Sequence, residues 1–346
     1  MSDNVLFGIM PDGTPVYKVT LSSDRISCAI LTYGGVLQSL MVPDSKGQAI
    51  DVVLGFDRLG DYFEQSAYIG ALIGRYANRI GQSRFTLNGR TYQLYANDGA
   101  NHLHGGKVGF DKRVWTIAGQ GRDWVTLSLT SPDGEEGYPG TLSVRVTYRL
   151  SGSELSLEYE AVSDQDTVCN LTNHAYFNLG GHDSGSIGQQ MIRLYGDFYT
   201  PTDSELIPAG ELLPVDGTPM DLRNEQPFGA HIDDDFIPLH QAGGYDHNWV
   251  VRGTPGVLRS AAQARCPASG IGMEVLTTLP GIQLYTGNGL SDLPAGKGGA
   301  HYDRRSAFCL ESQYYPNSPN CPGYPQPVLK AGETWCHQTV LRFFYA

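Results

Sequence analysis

No run in this chain approaches the roughly 18 consecutive apolar residues that a membrane-spanning helix requires, so no membrane partner is expected. Positive charge is scarce too. With 24 Lys and Arg against 36 Asp and Glu, the net charge of −12 would repel a phosphate backbone, because nucleic-acid affinity rests largely on Lys and Arg neutralising phosphates. No nucleic-acid partner is expected, and a neutral ligand suits the chain better. The N-terminal stretch Met1 to Gly8 has no basic segment followed by an apolar one; without that sign of secretion, the expected compartment is the cytoplasm. The six cysteines (Cys28, Cys169, Cys266, Cys309, Cys321 and Cys336) contain no C-x-x-C pair, which fits neither a zinc framework nor a compact disulfide scaffold. They read as free thiols. Cys309 stands beside an acid, but a nucleophilic role would need an activating partner that spacing does not reveal. Long stretches with a 3.6-residue period are missing as well, apart from a short helical piece expected between Gly60 and Ile73.

What the chain does have is alternation. Leu142, Val144, Val146, Tyr148 and Leu150 interleave with Thr141, Ser143, Arg145, Thr147 and Arg149, and similar alternation recurs at 125–130 and 155–162. Phe85 to Leu87, then Asn88-Gly89, then Arg90 to Leu94 predicts a hairpin, since Asn-Gly supplies the positive φ angles of a type I′ turn. The 43 Gly and 20 Pro supply many further breaks. No linker divides the 346 residues and no βαβ alternation is present, so the expected fold is all-β, a large antiparallel β-sandwich spanning residues 1–346 as one domain.

Six stretches carry chemistry. Leu171 to Gly181, read as a strand, puts Asn170, Thr172, His174, Tyr176 and Asn178 on one face and Leu171, Ala175, Phe177 and Leu179 on the other. Such a surface can present a histidine among hydrogen-bonding neighbours, although an isolated histidine is more often merely hydrogen-bonded. Gly74-Arg75-Tyr76-Ala77-Asn78-Arg79-Ile80 reads by itself as a surface arginine loop. His102 and His104 share one face of an extended segment; with no third ligand nearby in sequence, a polar or structural role is expected rather than a metal. Gly244 to Val251, with Asp246, His247 and Asn248, and Gly281 to Asn288, with Gln283 and Tyr285 opposite Ile282 and Leu284, mix acids, amides and rings in the way sugar hydroxyls and C–H faces require. In Phe308 to Pro316 a single acid, Glu311, interrupts an apolar and aromatic run, a costly placement unless the acid has a partner or a task.

The combination G-R-Y-A-N-R-I, N-H-L-H-G-G, N-L-T-N-H-A-Y-F-N-L, G-Y-D-H-N, Q-L-Y-T-G-N and L-E-S-Q-Y-Y-P-N-S-P-N resembles the aldose 1-epimerase family, the galactose mutarotases, in order and across nearly the whole chain. The resemblance implies a β supersandwich with the sugar in a cleft of one sheet, and no cofactor or metal. It implies Glu311 as general base and His174 as general acid. It also implies substrate contacts from Arg79 with Asn78 beside it, from His104 near the ring oxygen, from Asp246 on hydroxyls and from Gln283. His102 and His247 receive no part. The implied partner is an aldohexose, and the implied assembly a monomer or homodimer. Three alternatives stay open: an epimerase of the same fold for hexose 6-phosphates, using Arg75 and Arg79 on the phosphate; a non-catalytic sugar-binding domain; and a glycoside hydrolase pairing Asp246 with Glu311.

Overall fold

The structure, a computed structural model, describes residues 4–345, so the first three residues of the N-terminal stretch lie outside it. Within it, the expected alternation becomes a sheet. Strands Trp124–Ser131, Leu142–Ser151 and Glu154–Ser163 pair antiparallel in register, and Leu142, Val144, Val146, Tyr148 and Leu150 are all buried. Thr116–Gln120 flanks them on one side, and Thr334–Tyr345, Ile271–Thr277, Arg259–Cys266, Met191–Leu194 and Gln226–Pro227 complete nine strands on the other. A second sheet runs Leu213–Pro214, Phe198–Tyr199, Asp246–Val250, Gly281–Tyr285, Cys309–Gln313. A third, five-stranded meander occupies residues 4–51. Val19 and Leu40 from the meander, Val144 and Leu157 from the large sheet, and Ile282 and Leu284 from the second sheet meet in one apolar core.

The hairpin forms at the expected place, with strands Arg84–Leu87 and Arg90–Gln93 joined through Asn88 at φ 51° and Gly89 at φ 75°. The helical piece is the single turn Leu59–Phe63; a second short helix spans Ile237–Ala242. Neither is long and apolar enough to cross a membrane, and no other helix among the described residues is.

One expected strand is mostly not a strand. Of the stretch 171–181, only Thr172–Asn173 pairs as one, with Leu72–Ile73. At the break the Asn173 side chain bonds the backbone itself, Nδ2 donating to the carbonyls of Gly70 and Ala71 and Oδ1 accepting the Ala175 N–H, and beyond it Phe177 forms isolated bridges to Val53 and Phe308. The two faces survive this interruption. Leu171, Ala175, Phe177 and Leu179 enter the core, and His174 faces the opposite way.

Candidate active site

Register on the second sheet builds the site. Asp246 pairs with Tyr285, and Tyr285 with Cys309; one step along, Asn248 pairs with Gln283, and Gln283 with Glu311. Because Ile282, Leu284 and Leu310 enter the core, the residues between them must point the other way. A cavity of about 170 Å³ opens on that face, and Glu311, His174, His104, Arg79, Asn78 and Asp246 line it.

Glu311 is 2% exposed. Its Oε1 lies 3.7 Å from Nε2 of His174, and its Oε2 is buried with no hydrogen-bond partner among the described residues. Burial and then the neighbouring Asp246 carboxyl push Glu311 well above the usual carboxylate range, while Arg79 opposes them. Burial pushes His174 down to about 4. Both charged forms are therefore disfavoured, and above about pH 4, up to the raised range of Glu311, the two residues hold one exchangeable proton between them.

His104 stands at φ 51°, followed by Gly105 at φ 88°. A side chain at Gly105 would place its Cβ 1.8 Å from the Gly74 carbonyl oxygen, so only glycine lets this loop close against residue 74. Nδ1 of His104 accepts the Asn78 backbone N–H at 3.1 Å. A backbone N–H can only donate, which leaves the hydrogen of the neutral ring on Nε2. Burial, with His174 and Arg79 nearby, lowers the His104 pKa well below its ordinary value.

Arg79 donates Nε to Asp98 Oδ2 at 2.7 Å, which aims the guanidinium and leaves its terminal nitrogens for a ligand. Asp246 Oδ1 accepts from Gln283 Nε2 at 2.7 Å, and burial raises the Asp246 pKa.

The aldose 1-epimerase family model matches residues 17–342. The chain is 44% identical to the galactose mutarotase of Bos taurus, over 99% of this chain and 98% of that one. It is 36% identical to the aldose 1-epimerase of Escherichia coli (strain K12), over 97% of each. The chain belongs to the aldose 1-epimerase family. A solved aldose epimerase homologue from C. elegans superposes with a TM-score of 0.88 at 27% identity, covering 95% of this chain and 99% of that one.

Of the seven residues expected in the site, six line the cavity. Gln283 does not. Its Oε1 accepts from Gln313 Nε2 at 3.3 Å while its Nε2 holds Asp246, so it stands behind the acid and orients it. Arg75, expected in a surface loop, is 2% exposed and bonds through its guanidinium to Ser131 and to the carbonyls of Pro132 and Pro139. It faces away from the cavity, which leaves the phosphate alternative one of its two arginines. His102 is likewise structural: one ring nitrogen meets the Tyr95 carbonyl at 2.8 Å and the other the Tyr138 hydroxyl at 2.6 Å.

The third metal donor absent from the local sequence is supplied from a distance. His104, His174 and Glu311 bring one donor atom each within 4.8 Å of one another. The Asn78 N–H argues against a metal there, because it keeps the Nε2 lone pair of His104 covered by a hydrogen. The arrangement instead offers N–H donors and a carboxylate to an oxygen-rich ligand.

Tyr68, Tyr176 and Tyr285 also line the cavity. Tyr176 and Tyr285 sit on the faces marked out by alternation. Tyr68 had no local signal: it lies in a loop at φ 57°, with its ring 4.7 Å from that of His104 and 5.9 Å from that of His174.

Proposed function

We propose that this protein interconverts the α and β anomers of an aldohexose of the galactose or glucose type, with Glu311 as base and His174 as acid. Anomer exchange requires the C1 hydroxyl to lose a proton while the ring oxygen gains one. The ring opens to an aldehyde, rotation about C1–C2 presents the other carbonyl face, and reclosure reverses both transfers. Glu311 takes the hydroxyl proton and His174 protonates the ring oxygen; each positioned group contributes about 10²- to 10⁴-fold.

The active form pairs an ionised Glu311 with a charged His174, which burial alone disfavours. It has the same proton count as the neutral pair. A sugar hydroxyl donated to the unpartnered Oε2 stabilises the carboxylate and moves the shared proton to His174. His104 donates from Nε2 near the ring oxygen, the free guanidinium nitrogens of Arg79 hold further oxygens with Asn78 beside it, and Asp246, oriented by Gln283, accepts from hydroxyls. The tyrosines offer rings to the C–H faces of the sugar.

One observation carries this reading: an acid and a histidine from distant parts of the chain converge on one cavity 3.7 Å apart. Polarimetry of freshly dissolved α-D-galactose, α-D-glucose and L-arabinose tests it. At least one sugar should reach its equilibrium rotation much faster than it does spontaneously; spontaneous rates for all three would overturn the reading.

A further inference from the structure

The mechanism above uses one ring nitrogen of His174 and leaves the other unexplained. Nδ1 faces the Sγ of Cys309 at 3.6 Å, in a contact buried from solvent. Cys309 is fully buried, and its register position in Cys309–Gln313 puts it on the same face as Glu311, two residues along. Burial and the Glu311 and Asp246 carboxyls raise the thiol pKa well above its usual value, so the sulfur keeps its hydrogen. At the other end of the ring Nε2 faces Oε1 of Glu311 at 3.7 Å, beyond direct hydrogen-bond reach and on the cavity side. The tautomer is therefore set at Nδ1, where a thiol that keeps its hydrogen calls for a bare nitrogen.

We propose that Cys309 is a positioning residue: its S–H donates to Nδ1 of His174, keeps the ring hydrogen on Nε2 where the sugar binds, and gives the imidazolium only a soft, uncharged partner. The proposal rests on His174 being the acid. Many catalytic histidines have a carboxylate at this position, which stabilises the imidazolium. A sulfur atom accepts an N–H weakly, so the charged ring is held loosely and releases its proton readily to a hemiacetal oxygen, itself a poor base. No bond is made to sulfur, and the thiol proton is not consumed.

Other groups bear on the same ring. The titratable and charged ones are Glu311, His104 at 5.2 Å between ring centroids, and, across the cavity, Arg79 and Asp246. Tyr68, Tyr176 and Tyr285 flank it with rings at 5.9, 5.0 and 6.4 Å. None of these makes a hydrogen bond to Nδ1 among the described contacts; the residue's own backbone carbonyl is the competing acceptor for a ring N–H, and substitution at Cys309 shows which of the two sets the tautomer.

The test joins nitrogen NMR of ¹⁵N-histidine-labelled protein, with His174 assigned by its loss in His174→Asn, to pH–rate profiles of two variants. The wild type should show the Nε2–H tautomer. Cys309→Ala should show mixed tautomers, with kcat down about tenfold or more and KM little changed, the scale typical of removing a partner that orients a reactive ligand. Cys309→Ser should restore the tautomer and most of kcat. Its acid limb should move to higher pH, because a hydroxyl oxygen holds the charged ring better than sulfur does. An Nδ1–H tautomer in the wild type would overturn the proposal. So would an unchanged tautomer and acid limb in both variants, whatever happens to kcat. If the alanine variant fails to fold, the wild-type spectrum and the serine variant decide. If His174→Asn keeps full turnover, the acid assignment fails on its own while the tautomer result still stands.

Discussion

Glu311 and His174 face each other across 3.7 Å, too far for a direct hydrogen bond and close enough for both to reach neighbouring oxygens of one ligand. Their proton affinities are displaced in opposite directions, His174 down to about 4 and Glu311 well up. The pair takes a second proton only near pH 4 and loses its single proton only well above the ordinary carboxylate range. The kcat/KM profile is therefore expected to be flat through neutral pH, with its acid limb below the usual histidine range. An acid limb at about 6.5 would show that burial does not govern His174.

Arg79 and Asp246 bind rather than react. Arg79→Ala and Asp246→Asn should each raise KM by about tenfold or more, the scale of a lost hydrogen bond to a charged group, with a smaller change in kcat. Gln283→Ala should act through Asp246, so combining it with Asp246→Asn should cost less than the sum of the two single losses. Additive losses would place Gln283 on the sugar instead.

The hydrogen held on His104 Nε2 makes the histidine pair a poor metal site. Treatment with a chelator should leave the rate unchanged. Stoichiometric zinc in the purified protein, with activity lost on its removal, would contradict this.

His102 and His247 are both held to about 4 by burial. Between that value and the ordinary 6.5 the unfolded chain binds more protons than the folded one, so their stabilisation is whole above about pH 6.5 and falls as pH drops toward 4. Each contributes up to about 1.4 kcal/mol per pH unit. Urea unfolding at pH 6.5 and pH 5 should show the loss, and His102→Gln should show a smaller one; equal losses would mean that His102 titrates alike in both states.

The strands legible in advance are those with one face in the core and one toward polar surroundings, as at 142–151, and the hairpin where Asn88-Gly89 leaves the backbone little choice. Glu311 stood out because a titratable group in an apolar run demands a reason, and His174 because alternation put it among hydrogen-bonding neighbours on one face. What stayed hidden depends on contacts between distant parts of the chain. Asn173 bonds the backbone through its side chain only because Gly70 and Ala71 lie beside it, and Arg75 is buried only because the 131–139 turn supplies its acceptors. Asp98 aims Arg79 from another loop, and Tyr68 reaches the histidines through a backbone angle that no local pattern announces. For Gln283, alternation identified the correct face but not the partners that hold its amide behind Asp246.

The central claim is that Glu311 and His174 act together as base and acid, and a double-mutant cycle followed by polarimetry tests it most directly. Glu311→Gln keeps the shape of the side chain while removing the base, and His174→Asn removes the acid. Each should lower kcat by about 10²-fold or more with a smaller change in KM, and the double variant should lose far less than the product of the two, because groups acting as a unit are not additive. Near-normal turnover by a correctly folded Glu311→Gln variant would contradict the account and make Asp246 the next candidate for the base.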